Sequence, residues 1–357
     1  MPSHAPDKSI KRILLVRTDR LGDVILTLPM LPALRQCFPN AYIAMLLRRY
    51  TGEVLEGNPN VDELIWYDDN DGLVPFDRMS ATLREKQFDI AVVVYPRFRL
   101  AWLMFRSGIP VRVGTGYRYY SILFNKKVYE HRKNAQRHEL EYNLNLLKEL
   151  GCKLPVNFKP EFFINIPESA QTKVDTLLHS IGVEENKFIV IHPGSGGSAR
   201  EWSPDNFGAL ASCFIHEAGL KVVVTGTKTE EEKVSAVVDA SNGQAISLVG
   251  KLTIKELGAL IRSAKLFVSN STGPLHLGVA MGTPVVGLFP QHQAMSVKRW
   301  GPYTEKKVVF VPDRPLDCNV CVETKTPCQC MATISVEAVF QSATSLIQTQ
   351  RDAIHAN

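Results

Sequence analysis

The segment Lys265–Pro290, KLFVSNSTGPLHLGVAMGTPVVGLFP, carries the pattern that decides the fold. It predicts a buried strand, a polar loop at Ser269–Gly273, a short helix and a second buried strand. Pro274 suits the first turn of the helix. The N–H groups and partial positive charge of such a helix start favour a phosphate. An ordinary capped helix in a parallel sheet has the same pattern, so this segment alone leaves both interpretations open.

Short apolar strands alternate with helices through both halves of the chain, which is typical of parallel sheets covered on both faces. The first half contains predicted strands at Arg12–Arg17, Ala41–Leu47, Glu63–Trp66, Asp89–Tyr95 and Val111–Gly114. Its predicted helices are Asp23–Cys37, Pro75–Gln87 and Phe98–Ser107. The second half contains predicted strands at Phe188–His192, Lys221–Thr225 and Ala245–Leu248. Its predicted helices are Pro204–Ala218, Glu230–Ala240, Ile254–Ser263 and a last helix at Ser335–Gln350. We therefore expect two doubly wound domains, 1–160 and 161–334, linked through Gly151–Pro167.

Composition sets limits on function. The 357 residues are 45% hydrophobic and 22% charged, as in ordinary globular proteins. The net charge of +5 suits an anionic substrate or membrane surface but is too small to indicate nucleic acid. No apolar run approaches the ~20 residues of a membrane span. The first residues lack the apolar core of a signal peptide, so we expect a cytoplasmic protein. The seven cysteines suggest reduced thiols.

The loop after the first predicted strand, Arg17–Asp23, contains two acidic and two basic side chains. A dinucleotide site would have the pattern G-x-G-x-x-G here, and only Gly22 is present, which argues against nicotinamide or flavin. Asp23 stands at the predicted start of a helix. An aspartate there either caps the helix or, at the edge of a cleft, acts as a general base.

The loop His192–Trp202 is rich in glycine. Gly194, Gly196 and Gly197 permit positive φ and a close approach of the backbone to phosphate. No Lys-Ser or Lys-Thr pair follows them, so the loop is not a P-loop of the ATPase kind. Arg200 adds a planar fork of donors that matches two phosphate oxygens. A flexible surface loop is the alternative for the glycines.

Two further side chains have both a structural and a functional interpretation. Glu230 either decorates the first turn of a helix or binds ribose hydroxyls at the end of a strand. His276 lies one turn inside the helix of the opening segment, where it is either structural or a donor to a phosphate oxygen. Each alternative stays open on the sequence alone.

Two clusters remain. Four cysteines, Cys318, Cys321, Cys328 and Cys330, could hold zinc, but a Cys-x-Cys end is unusual for a structural zinc site. We therefore favour reduced thiols and predict no metal. A basic and aromatic strip is either a solvated surface or a site for acidic sugars and phosphates; it comprises Arg97, Arg99, Arg118, Tyr119, Arg132 and Lys133.

Together these loops resemble glycosyltransferase family 9, the heptosyltransferases of lipopolysaccharide core assembly. The most specific blocks are Arg17–Asp23 followed by Thr27-Leu28-Pro29, then His192–Trp202, then Ser269–Pro290. The resemblance implies the GT-B architecture, in which two Rossmann-like domains face a central cleft and a last helix, here 335–357, crosses back to the first domain. It further implies inverting transfer without a bound metal or cofactor. The implied donor is ADP-L-glycero-β-D-manno-heptose, and the acceptor is a Kdo or heptose residue of the lipid A core.

The resemblance also assigns roles to residues. Asp23 becomes the catalytic base, and Arg200, where the family often has Lys, stabilises the departing diphosphate. The donor-binding residues become Ser195, Gly196, Gly197, Glu230, Leu248, Ser271, Thr272, Gly273 and His276, with Leu248 along the adenine and Glu230 at the ribose. The acceptor-binding residues become Arg97, Arg118 and Tyr119. Many members have Asp where this chain has Ser271, which leaves the identity of the sugar open.

Three other functions are compatible with the sequence. The chain could be a family 9 transferase that uses another nucleotide sugar for a different cell-surface glycan. It could be a nucleotide-sugar epimerase on the same two-domain plan, or a non-catalytic GT-B protein that binds a sugar nucleotide. In every case we expect no nucleic-acid partner, and a peripheral contact with the inner membrane stays open.

Overall fold

The computed structural model describes residues 10–155, 157–313 and 329–355. The chain divides into two compact units, Met1–Asn165 and Ile166–Asn357. The division falls inside the predicted link Gly151–Pro167. Each unit is built on its own parallel sheet of six strands.

The first unit has its sheet in the order β3-β2-β1-β6-β7-β8, with every neighbouring pair parallel. A small antiparallel hairpin, β4 and β5, stands apart from it. The strands are β1 (Arg12–Val16), β2 (Tyr42–Leu47), β3 (Glu63–Trp66), β4 (Asp68–Asp69), β5 (Gly72–Leu73), β6 (Ile90–Val93), β7 (Val111–Thr115) and β8 (Lys126–Val128). The predicted strands of this half agree within two residues, whereas the hairpin and β8 were not predicted.

Six helices accompany this sheet in the described part of the first unit. They are α1 (Leu21–Ile25), α2 (Met30–Cys37), α3 (Arg49–Gly52), α4 (Phe76–Glu85), α5 (Phe98–Arg106) and α6 (Glu139–Asn145). The prediction of one helix over Asp23–Cys37 is wrong, because α1 ends at Ile25 and α2 begins at Met30. Pro29 lacks an N–H and its ring clashes with the carbonyl four residues earlier, so a continuous helix cannot pass through it.

The second unit repeats the topology, with strand order β11-β10-β9-β12-β13-β14 and parallel pairs throughout. Its strands are β9 (Phe188–His192), β10 (Lys221–Val224), β11 (Ile246–Ser247), β12 (Leu266–Asn270), β13 (Val285–Leu288) and β14 (Lys307–Phe310). Its helices are α7 (Glu168–Ser180), α8 (Pro204–His216), α9 (Glu231–Ala240), α10 (Ile254–Arg262), α11 (Gly273–Ala280), α12 (Val297–Trp300) and α13 (Val336–His355). Neither α7 nor β14 was predicted.

The last helix, α13, packs against α8 and β14. Its residues Val339, Phe340 and Ala343 join the hydrophobic core of the second unit. These contacts explain why this helix is apolar along one side. Its return to the first domain stays a prediction.

In both sheets the strand order reverses at one place, between β1 and β6 in the first unit and between β9 and β12 in the second. Loops that follow these strands lie at the carboxyl ends on either side of the reversal, which is where doubly wound sheets bind their ligands. The sequence blocks Arg17–Asp23, His192–Trp202 and Ser271–Gly273 follow β1, β9 and β12. The topology therefore places all three at ligand-binding edges.

Two further observations concern the described residues. Within them, no helix is both long enough and apolar enough to cross a membrane. Their four cysteines, Cys37, Cys152, Cys213 and Cys330, are free thiols.

Candidate active site

A buried arginine organises the loop at the carboxyl end of β1. Arg17 is only 2% exposed, and its guanidinium lies among three carboxylates. Its Nε donates to Asp19 Oδ1 at 2.7 Å, Nη2 makes a short contact with Asp23, and Nη1 lies 3.5 Å from Glu139 Oε1. A buried charge is tolerated only when it is paired and hydrogen-bonded, as this one is. The Asp19 and Asp23 side chains are therefore held in fixed positions.

Asp23 is the third residue of α1, not its N-cap. The N-cap is Arg20, and no side chain caps the helix there. The interpretation of Asp23 as a plain capping residue is therefore wrong, because its carboxylate is turned to Arg17 instead. The Asp23 side chain remains 16% exposed. A fixed carboxylate with a solvent-facing part has the geometry that a general base needs.

The neighbouring Asp19 titrates in an unusual range. Burial raises its pKa to about 7, and the negative charge of Asp23 adds to this effect, although Arg17 opposes it. Asp19 consequently holds a proton over part of the range in which ordinary carboxylates are ionised. Asp19 and Asp23 thus share one arginine, and the Asp23 side chain is the more exposed of the two.

Residues more than 100 positions away complete this cluster. Glu139, 2% exposed, accepts from Arg132 Nη1 at 2.6 Å. Asn143 accepts from Arg17 and Arg132 and donates from Nδ2 to the Leu26 carbonyl at 3.0 Å. No motif marked these residues in the sequence, although a glutamate in the first turn of an apolar helix was a signal that could have been followed.

The basic strip is not uniform. Arg132 is engaged with Glu139, and Arg99 donates to the Tyr67 hydroxyl and the Val74 carbonyl. These two arginines therefore support the fold. The interpretation of both as part of a solvated surface strip is wrong. Arg97, Arg118 and Tyr119 are exposed, and the stacking of Phe98 on Tyr119, with ring centroids 6.0 Å apart, brings these three residues to one region.

In the second unit the glycine-rich loop follows β9. Gly196 and Gly197 have φ values of +54° and +72°, a region that favours glycine. Gly194 is required for space, since a Cβ atom there would lie 1.9 Å from Glu230 Oε1. Ser195 is buried, and Ser198 Oγ donates to the carbonyl of Ser195 at 2.7 Å. The loop is therefore a tight turn that contacts Glu230, with Gly196 and Gly197 exposed at the surface.

Glu230 is the N-cap of α9, and its carboxylate joins the loops that follow β9 and β10. It accepts from the Gly196 N–H at 3.3 Å and from the N–H and hydroxyl of Thr227, both at 2.9 Å. Burial acts to raise the pKa of Glu230, but these hydrogen bonds and the nearby His192 lower it below its ordinary value. The carboxylate is thus ionised at neutral pH and fixed in place.

His192, at the end of β9, connects the strands that carry these loops. Burial lowers its pKa to about 4, so the ring is neutral at pH 7. Its Nδ1 lies 3.0 Å from the Thr225 hydroxyl, and its carbonyl accepts from Ser269 Oγ at 3.1 Å. The residue ties the ends of β9, β10 and β12 together.

Asn270, fully buried at the end of β12, was not identified from the sequence. Its Oδ1 accepts from the Trp202 N–H at 2.9 Å, and its Nδ2 donates to the Pro193 carbonyl at 2.7 Å. Trp202 is 1% exposed and donates from Nε1 to the Ile334 carbonyl. The half-buried Arg200 precedes this anchored tryptophan by two residues. Asn270 therefore fixes both ends of the loop that carries Arg200.

The segment Lys265–Pro290 supplies a third part of this site, beside the glycine-rich loop and Glu230. Helix α11 begins at Gly273, with Thr272 as its N-cap and Pro274 in its first turn. Ser271 and Thr272 are largely buried, and the Ser271 carbonyl accepts from Ser198 Oγ at 3.3 Å. The structure thus joins the glycine loop to the start of α11. The two parts of the predicted anion site, the glycine-rich loop and the N-terminus of α11, are thus in contact.

Two predicted donor residues are buried. His276 is 5% exposed within α11, and Leu248 is 1% exposed just after β11, where its N–H donates to the Val224 carbonyl. Their roles at the diphosphate and adenine stay predictions.

Among the described residues, no group of three or more His, Cys, Asp or Glu side chains is placed to hold a metal ion. Cys330 is buried, whereas Cys318, Cys321 and Cys328 lie outside the described residues.

The sequence also matches a known family. The pattern described as glycosyltransferase family 9 (heptosyltransferase) matches residues 77–332, which is more than half of the chain. The chain belongs to glycosyltransferase family 9. It is therefore a glycosyltransferase of the heptosyltransferase type, as the motifs predicted.

Family 9 relatives align over most of their length. A Haemophilus influenzae protein named only as a glycosyltransferase is 27% identical, with 92% of this chain and 96% of that protein covered. Lipopolysaccharide heptosyltransferase 3 of Escherichia coli K12 is 29% identical over 81% of this chain and 84% of that protein. The solved structure of E. coli ADP-heptose LPS heptosyltransferase II has a TM-score of 0.78 at 21% identity, covering 95% and 99% of the two chains. This similarity confirms the GT-B fold class.

Proposed function

We propose that this family 9 glycosyltransferase moves a heptose from ADP-L-glycero-D-manno-heptose to a Kdo or heptose residue of the lipopolysaccharide inner core. The observation that carries the proposal is the contact between the glycine loop and the start of α11 at the strand reversal of the second sheet. Backbone N–H groups and a helix start at such a place suit a diphosphate. The similarity to E. coli ADP-heptose LPS heptosyltransferase II supports the choice of donor.

On the leaving-group side, the reaction needs positive potential where negative charge grows. The Gly197 amide, the start of α11 at Gly273 and the Arg200 guanidinium supply it, while the Gly196 N–H, donated to Glu230, holds the loop in shape. Ser195, Thr272 and His276 complete this wall of the site. Because Glu230 and Asn270 hold the loop in shape, little reorganisation is needed when the ADP leaves.

On the acceptor side, Asp23 acts as the base. The acceptor hydroxyl oxygen forms a bond to the anomeric carbon as the bond from that carbon to the phosphate oxygen breaks. ADP leaves with the electron pair, and the hydroxyl proton passes to the Asp23 carboxylate. The sugar gains oxocarbenium character on the way, as in other glycosyl transfers. Attack opposite the departing ADP inverts the anomeric configuration.

Glu230 and Leu248 have the roles of ribose and adenine contacts in this proposal. Three hydrogen bonds, from the Gly196 N–H and from the N–H and hydroxyl of Thr227, engage the Glu230 carboxylate, and an ionised carboxylate with about four lone-pair sites accepts a further donor. Arg97, Arg118 and Tyr119 receive the anionic groups of the acceptor. We place the reaction on the cytoplasmic side, where a nucleotide sugar meets a core that is still being assembled.

A second candidate is the transfer of a different sugar. Ser271 stands where many family members have Asp, and a neutral hydroxyl binds sugar hydroxyls less strongly than an ionised carboxylate, whose hydrogen bonds are charge-assisted. The Haemophilus influenzae relative is named only as a glycosyltransferase, which is compatible with such a variant donor.

A donor screen distinguishes these candidates. Thermal unfolding is followed with ADP-heptose, ADP-glucose, GDP-mannose, UDP-glucose and dTDP-glucose. We expect the largest rise in unfolding temperature with ADP-heptose, because only ligands that bind the native state stabilise it. A larger rise with a UDP or GDP sugar would overturn the assignment of the donor.

The catalytic role of Asp23 is tested by Asp23→Asn. We expect transfer from ADP-heptose to fall about 100- to 10,000-fold while ADP binding changes by only a few-fold, because the base acts on the acceptor. Arg17 keeps Asp19 and Glu139 as partners, so the variant remains folded. Asp71→Asn, at an exposed position, is the matched control. Near-normal transfer by Asp23→Asn would remove Asp23 from the mechanism.

A further inference from the structure

Helix α5 carries an apolar stripe on the side that faces away from the core. Phe98, Trp102 and Phe105 follow the i, i+4, i+7 spacing, and their exposed fractions are 49%, 37% and 46%. The other side of the helix is buried through Leu100, Ala101, Leu103 and Met104. One side is enough to attach the helix to its sheet, so burial of the outward stripe is not needed for that attachment.

The stripe continues onto the turn Tyr119–Leu123. The Phe98 ring stacks on Tyr119, and Trp102 stacks on Phe105 with ring centroids 5.5 Å apart. On the turn itself, Tyr119 is 84% exposed and Ile122 is 82% exposed. We call the five side chains Phe98, Trp102, Phe105, Tyr119 and Ile122 the aromatic face.

The chain segment that carries this face has charges of one sign. From Ile90 to Tyr129 the sequence contains no Asp or Glu, and it contains seven basic residues, Arg97, Arg99, Arg106, Arg112, Arg118, Lys126 and Lys127. Arg99 and Arg112 donate to carbonyls of their own unit. Four of the others, Arg97, Arg106, Arg118 and Lys126, are exposed. A stretch with this excess of positive charge stands out in a chain whose total is +5.

We infer that the aromatic face and its basic surroundings bind the surface of an anionic phospholipid membrane. Aromatic rings with polar edges settle at the boundary between headgroups and acyl chains, and nearby Lys and Arg are attracted to anionic headgroups. The proposed acceptor is anchored in such a surface, Tyr119 belongs to the face and Arg97 and Arg118 adjoin it in the sequence, so this inference rests on the proposed function. A second copy of the chain is a poorer occupant, because a symmetric contact would oppose two sets of like charges.

The test uses the full chain and vesicles. Binding is measured by co-sedimentation with vesicles of phosphatidylcholine alone and of phosphatidylcholine with phosphatidylglycerol, at low and high salt. We expect binding to the anionic vesicles only, and weaker binding at high salt because screening reduces the attraction of surface charges. Equal binding to neutral vesicles, or no binding to either, would overturn the inference.

Trp102→Ser/Ile122→Ser tests the face itself. We expect at least about tenfold weaker partitioning into anionic vesicles, the equivalent of about 1.4 kcal/mol and of burying about 60 Å² of apolar surface. Phe163→Ser/Val311→Ser is the control, because these side chains are 43% and 41% exposed and are not part of the aromatic face. Equal loss in both variants would contradict the inference. Dimerisation of the wild type that is lost in Trp102→Ser/Ile122→Ser would assign the face to a second copy instead.

Transfer to a soluble acceptor fragment without acyl chains separates this inference from the proposed function. We expect Trp102→Ser/Ile122→Ser to keep wild-type transfer to the fragment while losing vesicle binding. If neither the wild type nor the variant transfers heptose to the fragment, the proposed function fails. The vesicle experiment still tests the role of the aromatic face in that case.

Discussion

The Asp19→Asn variant probes the cluster around Arg17 through the pH dependence of stability. In the wild type, Asp19 Oδ1 accepts from Arg17 Nε at 2.7 Å, and burial raises the Asp19 pKa to about 7. In the unfolded chain the same carboxyl has a pKa of about 4. An asparagine keeps an oxygen acceptor for Arg17 but carries no titrating proton. The substitution therefore removes the pH dependence of one site while preserving its hydrogen bond.

The sign follows from proton binding. Between the unfolded and folded pKa values, native Asp19 holds a proton that the unfolded chain has lost, so the free energy of unfolding falls as pH rises through this window. The slope is at most about 1.4 kcal/mol per pH unit, which amounts to about 2–3 kcal/mol between pH 5 and pH 7. Asp19→Asn lacks this decline. Its stability relative to the wild type should therefore rise by that amount over the same interval.

His192 acts in the opposite direction. Burial lowers its pKa to about 4, so its neutral folded form gives stability that is lost as pH falls below the ordinary pKa of about 6.5. In the wild-type curve these two contributions oppose each other below the ordinary pKa of histidine. Because His192 is present in both proteins, its contribution cancels in the difference between the variant and the wild type.

The measurement is urea unfolding of both proteins at several values between pH 5 and pH 8. Hydrogen exchange of peptides from β1 and α1 shows whether the change lies in the first unit, since two units can unfold in separate steps. Asp71→Asn, at an exposed position, should show no pH-dependent difference. A difference for Asp19→Asn that is constant with pH, or that shrinks as pH rises, would refute the reasoning about Asp19.

Two further predictions concern the second unit. Gly194→Ala places a Cβ against the Glu230 carboxylate, so we expect ADP affinity to fall about tenfold in calorimetry; unchanged affinity would show that Glu230 can move freely. Asn270→Ala leaves the buried Trp202 N–H and Pro193 carbonyl without their partner, and we expect a loss of about 2–4 kcal/mol in urea unfolding, whereas a loss below 1 kcal/mol would contradict that account.

Local patterns predicted most of the strands. Phe188–His192 and Glu63–Trp66 coincide with β9 and β3, because a short apolar run between helices has few alternatives in a parallel sheet. The helix from Asp23 to Cys37 was wrong because the apolar spacing continues across Pro29, while the backbone cannot. Helix α7 was missed because its sequence has only a few spaced apolar residues, Ala170, Val174 and Leu178, which become buried in the second unit.

The candidate site shows the same division. The glycines of the loop after β9 and the start of α11 at Gly273 could be predicted, since positive φ and helix starts have local signatures. Asn270 and the pair Arg132 and Glu139 could not, because their significance lies in partners far away in the sequence.

The sequence by itself determined the two doubly wound units, the loops at the ends of β1, β9 and β12, and membership of family 9. These depend on periodicity and on residue types that act within a few positions of each other. Only the tertiary structure decided that Asp23 faces Arg17 instead of capping α1, and that Glu230 holds the glycine loop in place. The physical reason is that a charged or polar side chain takes its partner from whatever the fold brings within about 3 Å, and that proximity is not written in local sequence.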